Sequence, residues 1–310
     1  MANINAKDVA ALRAKTGCGM MECKKALVEA DGNMDEAMKV LRERGLQVAA
    51  KKADRIAADG IVDIMTSADG KSVAMIEVNS ETDFVAKNAS FQEFVKTLLV
   101  TILETRPADV DALMAAKYTG TDLTVEAKIK EMIFTIGENM SIRRFVLVDG
   151  VTSTYIHGKG SIGVIVKFEA DEAVAAKDEF SEFAKNISLQ VGAYAAPYLD
   201  RASVPASVIE EEKNIIKTQL ANDPKMAGKP EKVLEGIVMG KLGKFYENNC
   251  VCDMAYVKDD SLTVSKYVDA TAKALGGSIK LVSFFRFEKG EGIEKREDNL
   301  GDEVAKMIGK

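Results

Sequence analysis

The spacing of apolar residues changes rhythm along the chain, and that change separates helical from extended stretches. Residues 1–46 carry apolar positions at three- and four-residue spacing and predict three short helices. Asn5 and Asp8 resemble an N-cap and its return partner ahead of Val9 and Leu12. Gly17-Cys18-Gly19 breaks that helix, a second covers about 20–30, and Asp31-Gly32-Asn33 turns the chain into a third. The third carries Ala37, Val40 and Leu41 and is expected to stop at Gly45. Residues 47–58, rich in Ala and Lys, read as a helical connector. β-rich runs follow at 61–66 and 72–79, joined by an Asp69-Gly70 hairpin signal. Ser90-Phe91-Gln92-Glu93 has the form of a capping box opening a helix to about Leu103, and a further helix fits 125–136, ending at Gly137. Strands are expected at 142–149, 151–156 and 162–168, then one helix over about 173–194.

Beyond Pro197 and Pro205 the pattern becomes two apolar stripes around a Pro/Gly turn. Val208, Ile209, Ile215 and Ile216 lie on the first stripe; Val233, Leu234, Ile237, Val238, Leu242 and Phe245 lie on the second. Narrow stripes of this kind predict an antiparallel helical hairpin that projects from the body. Strand signals return at Val257 and over 279–287, and Asp298-Asn299 can cap a final short helix with Val304, Met307 and Ile308.

Residues 59–96 and 149–185 read as two copies of one unit. A shift of 89 residues lays Ser72-Val73-Ala74-Met75-Ile76 on Ser161-Ile162-Gly163-Val164-Ile165, and Phe91-Gln92-Glu93-Phe94 on Phe180-Ser181-Glu182-Phe183, while Asp59-Gly60 and Asp149-Gly150 open the units at nearly the same offset, 90. Seen only twice, the period indicates a duplicated supersecondary unit rather than a solenoid. At the corner between the shared strand and helix the copies diverge: the same shift sets Phe84 of Glu81-Thr82-Asp83-Phe84-Val85 against Ala173. A large aromatic beside a carboxylate, in one copy only, is hard to explain by packing alone.

The expected fold is α+β. It comprises an N-terminal three-helix region with connector (1–57), a first core subdomain (58–150) and a second (151–203 with 251–288). A helical hairpin (204–250) and a C-terminal module (289–310) complete it. With 29% charged and 47% hydrophobic residues, composition is that of an ordinary soluble protein. A net charge of −6 disfavours a phosphate-neutralising grip on nucleic acid. No run of about 18 apolar residues suggests a membrane span, and the start lacks a signal-peptide pattern. Cys18, Cys23, Cys250 and Cys252 have spacings that fit neither a disulfide scaffold nor a zinc site. A reduced, cytoplasmic compartment is the better reading.

Enzyme signatures fail on context. Gly158-Lys159-Gly160-Ser161-Ile162-Gly163 matches a dinucleotide-binding pattern but leads into a β-branched strand, where that fingerprint needs a helix. There is no phosphate loop. His157 is the one histidine, leaving a nucleophilic triad a single possible base. No catalytic constellation, metal site or cofactor motif is found.

The run Thr16-Gly17-Cys18-Gly19-Met20-Met21-Glu22-Cys23-Lys24-Lys25-Ala26-Leu27 resembles the N-terminal signature of the translation elongation factor Ts family. Thr82-Asp83-Phe84-Val85-Ala86-Lys87-Asn88 looks like its central motif. The resemblance continues through Ile136-Gly137-Glu138-Asn139, His157-Gly158, the hairpin and Phe285-Arg286-Phe287-Glu288. Two positions depart from it: Cys18 stands for a usual alanine, and Leu189-Gln190-Val191 for a His-containing segment.

The resemblance implies a ubiquitin-associated-like N-terminal domain and a guanine-nucleotide exchange factor for elongation factor Tu, acting without bond chemistry, cofactor or metal of its own. It implies binding to the GDP-bound and nucleotide-free partner, disturbance of the partner's Mg²⁺ and phosphate pocket, and no contact with nucleic acid or membrane. Asp83 and Phe84 would be the wedge, with Thr82, which shapes the turn, and Val85 beside them and Lys87 and Asn88 in support. Arg13, Met20 and Met21 would dock on a helix of the partner's nucleotide-binding domain. Ile136 and Gly137 would add contacts, and His157 and Val257 would meet its β-barrel. The terminal helix would pack on it too. Plainer roles stay open: Phe84 as core and Asp83 as a cap, the methionines as core, Gly137 as a C-cap, His157 in a turn, Val257 in strand core. The hairpin stripe is self-packing first and a dimer or further-partner surface second. A scaffold that stabilises folded elongation factor Tu through the same face is the alternative from another class.

Overall fold

The computed structural model describes residues 4–226 and 228–294, and within them the chain is α+β. Three helices open it: α1 (Ala6–Thr16), α2 (Met20–Glu29) and α3 (Met34–Lys52). Asn5 caps α1 by accepting the Asp8 N–H at 2.9 Å, and Asn33 caps α3. Val9, Leu12, Cys23, Ala26, Leu27, Ala37 and Leu41 form their small shared core. The third helix does not stop at Gly45. Gly45 is buried where α3 meets Phe134, and the continuous helix absorbs the expected connector as far as Lys52. The tertiary contact outweighs the poor helix propensity of glycine, which costs only about 1 kcal/mol.

The first α+β unit runs β1 (Asp59–Thr66), β2 (Ser72–Ser80), α4 (Asp83–Ala86), α5 (Ala89–Thr105), α6 (Val110–Ala115), α7 (Val125–Ile136) and β3 (Met140–Asp149). The second runs β4 (Val151–His157), β5 (Ile162–Ala170), α8 (Glu172–Ala175) and α9 (Asp178–Ala193). It is interrupted by a hairpin of α10 (Ala206–Ala221) and α11 (Glu231–Asn249), then resumes with β6 (Ala255–Tyr256), β7 (Asp259–Thr263), α12 (Val264–Leu275) and β8 (Ile279–Glu288). Each unit holds a three-stranded antiparallel sheet, β1-β2-β3 and β4-β5-β8. The sheets pack face to face through Val62, Val73, Met75, Val148, Ile165 and Phe287. Their other faces carry helical cores, around Phe91, Phe94 and Leu98 in one unit and Phe168, Phe180 and Phe183 in the other. Gly163 keeps the sheets close: a Cβ there would lie 2.5 Å from Val62 Cγ1 and 2.8 Å from Met75 Sδ.

The duplication is present, but the strands match at a shift of 90 residues, not 89. Ile61 stands opposite Val78 as Val151 stands opposite Phe168, and Ser72 opposite Asp149 as Ile162 opposite Glu288. Ala74, Ile76 and Val78 face the helices, as do Val164, Val166 and Phe168. A one-residue slip exchanges the two faces of a strand, so the sequence alignment at 89 sets helix-facing positions against sheet-facing ones. The helices do match at 89, because the two corners differ by one residue.

Other expectations need smaller corrections. Asn88, not Ser90, caps α5, accepting the Ser90 N–H at 2.8 Å. The expected helix over 173–194 is broken at Ala176-Lys177 into α8 and α9. Val257 lies in the turn after β6, not in strand core. In the hairpin, Ile216, Leu220 and Val238 form a separate small core while Ile215 and Val233 are exposed, so the apolar pairs are split. The expected C-terminal helix with Val304, Met307 and Ile308 lies outside the described residues.

A buried carboxylate joins the halves. Glu77 on β2 is fully buried and accepts from the Gly290 N–H at 2.8 Å, Arg143 at 3.0 Å and Arg144 at 2.7 Å. Burial pushes its pKa up, but the Gly290 and Asn79 hydrogen bonds and Arg144 prevail and hold it below the usual carboxylate value. Lys289 pairs with Asp59 beside it, and the Arg144 guanidinium stacks 4.3 Å from the Phe287 ring. The segment following β8 is thereby fastened to the first unit.

Candidate functional site

The corner between β2 and α5 is short, polar at its base and apolar at its tip. Thr82 has an extended backbone (φ −130°, ψ 159°) and leads into the single turn of α4. Glu138 holds Thr82 twice: the Thr82 N–H donates to Oε2 at 3.0 Å and the hydroxyl to Oε1 at 2.8 Å. The Ser80 hydroxyl donates to the Thr82 carbonyl at 2.9 Å. Val85 points inward and is buried in the first unit's core. Phe84, one residue earlier, points out with 77% of its surface exposed. Lys87 Nζ donates to Asp83 Oδ2 at 2.6 Å and lies 5.7 Å from the Phe84 ring centroid. The hydrogen bond from Lys87 holds the Asp83 carboxyl below its usual pKa, so it is anionic at neutral pH. Phe84 is thus not a core residue, and Asp83 makes no side-chain cap; the plainer roles for both fail.

A second loop supports the first. Gly137 ends α7 with φ +89°, a left-handed conformation that glycine adopts without strain, and its N–H donates to the Ile133 carbonyl at 2.9 Å. Lys52, at the end of α3, donates to the Gly137 carbonyl. The Asn139 N–H donates to Glu81 Oε1 at 2.6 Å, and its buried amide reaches the Arg55 carbonyl at 2.8 Å. Ile136 packs half-buried against the core, while Gly137 is exposed. Three segments distant in sequence therefore meet at the base of the corner: the end of α3, the loop 137–139 and Glu81-Thr82.

The loop before α2 adjoins the same region. A Cβ on Gly17 would stand 3.3 Å from Thr135 Cγ2, one residue from Ile136. Directly after this loop, Met20 (55%) and Met21 (61%) are both exposed, which excludes the core role for either. Arg13 is exposed on α1, four residues before Gly17. Burial raises the Cys18 thiol pKa, consistent with an inert packing residue.

His157 and Val257 belong to the second unit. His157, exposed at the end of β4, shares a 2.8 Å hydrogen bond between Nδ1 and the Tyr155 hydroxyl. Val257 is 40% exposed and is held through its backbone: its N–H donates to Gln190 Oε1 at 2.7 Å, while Gln190 Nε2 donates to the Ala255 carbonyl at 3.0 Å. Gln190 is fully buried on α9 and pins the turn that displays Val257. Two amides one turn apart, Asn186 and Gln190, on a helix whose other buried positions are mostly apolar were the signal for its role. Glu138, Glu81 and Lys52, which build the support under Phe84, carried no such signal, since each partner lies more than 50 residues away.

Among the described residues no group of three or more His, Cys, Asp or Glu side chains is arranged to hold a metal ion. No described helix is long and apolar enough to cross a membrane.

Comparison with known proteins gives the family. The family model described as "Elongation factor TS" matches residues 81–291, well over half the chain. Elongation factor Ts of Syntrophotalea carbinolica is 45% identical over 311 residues, covering 98% of this chain and 99% of its own. That of Clostridium kluyveri is 44% identical, covering 98% and 99%, and that of Trichlorobacter lovleyi 42%, covering 99% of each. Identity of 42–45% over nearly the full length of both chains, with the family model matching residues 81–291, shows that this chain belongs to the elongation factor Ts family of translation elongation factors.

Proposed function

We propose that the chain is a guanine-nucleotide exchange factor for elongation factor Tu, acting in the cytoplasm and performing no bond chemistry itself. The observation that carries this reading is Phe84: a large aromatic 77% exposed on a corner braced from beneath, with alanine at the matching position of the second copy. Exposing such a side chain gives the free protein no packing energy. Burying it in a partner would contribute about 1.5–3 kcal/mol.

Exchange follows from linkage. A factor that binds the nucleotide-free partner more tightly than the GDP-bound partner must weaken GDP binding by the same factor. Nothing in this chain needs to touch GDP. In this reading Phe84 enters the partner beside its Mg²⁺ and phosphate pocket, and anionic Asp83 approaches groups that otherwise serve the metal and phosphates. Such a pocket depends on aligned backbone N–H groups and one cation, so a small displacement suffices. Arg13, Met20, Met21, Ile136 and Gly137 would widen the contact around the wedge. His157 and Val257 would hold the partner's second domain through the other unit.

The test loads elongation factor Tu with a fluorescent GDP and adds the chain at a small fraction of its concentration. Accelerated release with each molecule turning over many times supports exchange. If GDP leaves at its intrinsic rate while the partner's melting temperature rises, the chain is a scaffold and the reading fails.

A further inference from the structure

The internal duplication shows what was altered to build the exposed corner. In the second unit Asp171 Oδ2 accepts the Ser278 N–H at 2.7 Å, just before β8. Glu81 makes the matching contact in the first unit, accepting the Asn139 N–H just before β3. The ladders align Glu81 with Asp171 at 90 residues, and α4 aligns with α8 at 89. Thr82 is therefore the extra residue of the first corner, with no counterpart in the second.

The residue opposite changes with it. Glu138 precedes Asn139 as Gly277 precedes Ser278. A Cβ on Gly277 would lie 2.6 Å from both Asp171 Oδ2 and Val174 Cγ2, so the second corner sits down on its strand and leaves room only for glycine. In the first unit the carboxylate of Glu138 stands in this position and takes both donors of the extra residue, the Thr82 N–H and hydroxyl. We infer that Thr82 and Glu138 form one device, an inserted residue and its prop, and that Glu138 is a positioning residue that holds Phe84 at a fixed height and angle for the partner. This rests on the exchange reading above. A corner one residue longer and left unsupported would carry an unsatisfied N–H and a mobile ring. The bidentate carboxylate satisfies the first and restricts the second.

The chain has no tryptophan, so Phe84→Trp supplies a single indole at the tip, excited at the red edge where the tyrosines do not absorb. Its anisotropy decay is measured in the free full-length chain, alone and with Glu138→Ala, Glu138→Gln or Thr82→Val added. Glu138→Ala is expected to give the indole a faster, wider local motion with the melting temperature of the chain little changed. Glu138→Gln, which keeps one acceptor, should restore part of the order. With the native Phe84, the same changes are read as catalysed GDP release. Glu138→Ala should lower the maximal rate at least about tenfold, the scale of loss when a positioned group is misplaced by a fraction of an ångström to an ångström. The half-saturating concentration should move less. Thr82→Val on top of Glu138→Ala should add little, because the two act through one contact. An unchanged indole anisotropy on Glu138→Ala overturns the prop. So does a loss equal for Glu138→Ala and Glu138→Gln that follows only their melting temperatures. If the indole loosens while release stays at the wild-type rate, the prop exists but the wedge reading beneath it fails, and the positioning role is overturned with it.

Discussion

The two strand-to-helix corners of the duplicated core begin from the same design and end with opposite surfaces. Both set an inward valine, Val85 or Val174, against a helical core, and both accept an N–H at the start of the adjoining strand through a carboxylate. The second corner closes down on Gly277 and shows solvent an alanine. The first is one residue longer, rests on Glu138, and shows solvent a phenylalanine beside a carboxylate. A fold that needed only stability would gain nothing from the first arrangement, since an exposed ring contributes no burial. Features that the copies share lie in the core, while those that differ lie on the surface proposed to meet the partner.

Truncation of matched aromatics should separate the two corners most strongly. Phe91→Ala and Phe180→Ala, buried under the two sheets, should each lower unfolding free energy by about 3–5 kcal/mol in chemical denaturation. Phe84→Ala should stay within about 0.5 kcal/mol of wild type. Equal losses at all three would make Phe84 a packing residue. Next in size is the joint between the units. Glu77→Gln leaves Arg143 and Arg144 facing a neutral group and should cost about 3 kcal/mol. The depressed pKa of Glu77 also sets a sign. Its stabilisation is complete above the ordinary carboxylate value and is lost as pH falls below it towards the folded-state value. Melting temperature should therefore fall with acidification more steeply in wild type than in Glu77→Gln.

Gly277→Ala tests the closed corner. The added methyl meets Asp171 and Val174, and overpacking of this kind costs about 1–3 kcal/mol. A neutral result would mean that the second corner has room for a prop and that the contrast with Glu138 is accidental. The smallest effect is expected at Lys87. Its ion pair with Asp83 is well exposed, so Lys87→Ala should change stability by less than about 0.5 kcal/mol. The Asp83 carboxyl should meanwhile titrate closer to its ordinary value when followed by NMR.

Much of the scaffold was legible because periodicity reports burial. The hairpin signal at Asp69-Gly70, the strands and the helices at Val125 and after Pro205 all carry their own local signals. Gly45 misled because glycine propensity is weak beside a tertiary contact with Phe134. The 89-residue shift misled because one inserted residue at Thr82 joins two correct alignments, of helices at 89 and strands at 90. Residues 258–278 carry no assigned element in the sequence pattern, yet they form β7 and α12, and the packing of α12 on α9 is fixed by residues distant in sequence. Phe84 stood out through the repeat and the family motif. Its support did not, because the Thr82–Glu138 and Glu81–Asn139 contacts close only when β3 pairs with β2.

In the proposed function the first corner acts and the second holds. Its most direct test is the maximal rate of fluorescent GDP release from elongation factor Tu, driven by wild type and by Phe84→Ala at matched melting temperature. Loss of a buried aromatic anchor costs about 2–4 kcal/mol, so the variant should release GDP roughly 30- to 1000-fold more slowly. A folded Phe84→Ala chain that releases GDP at the wild-type rate would contradict the account.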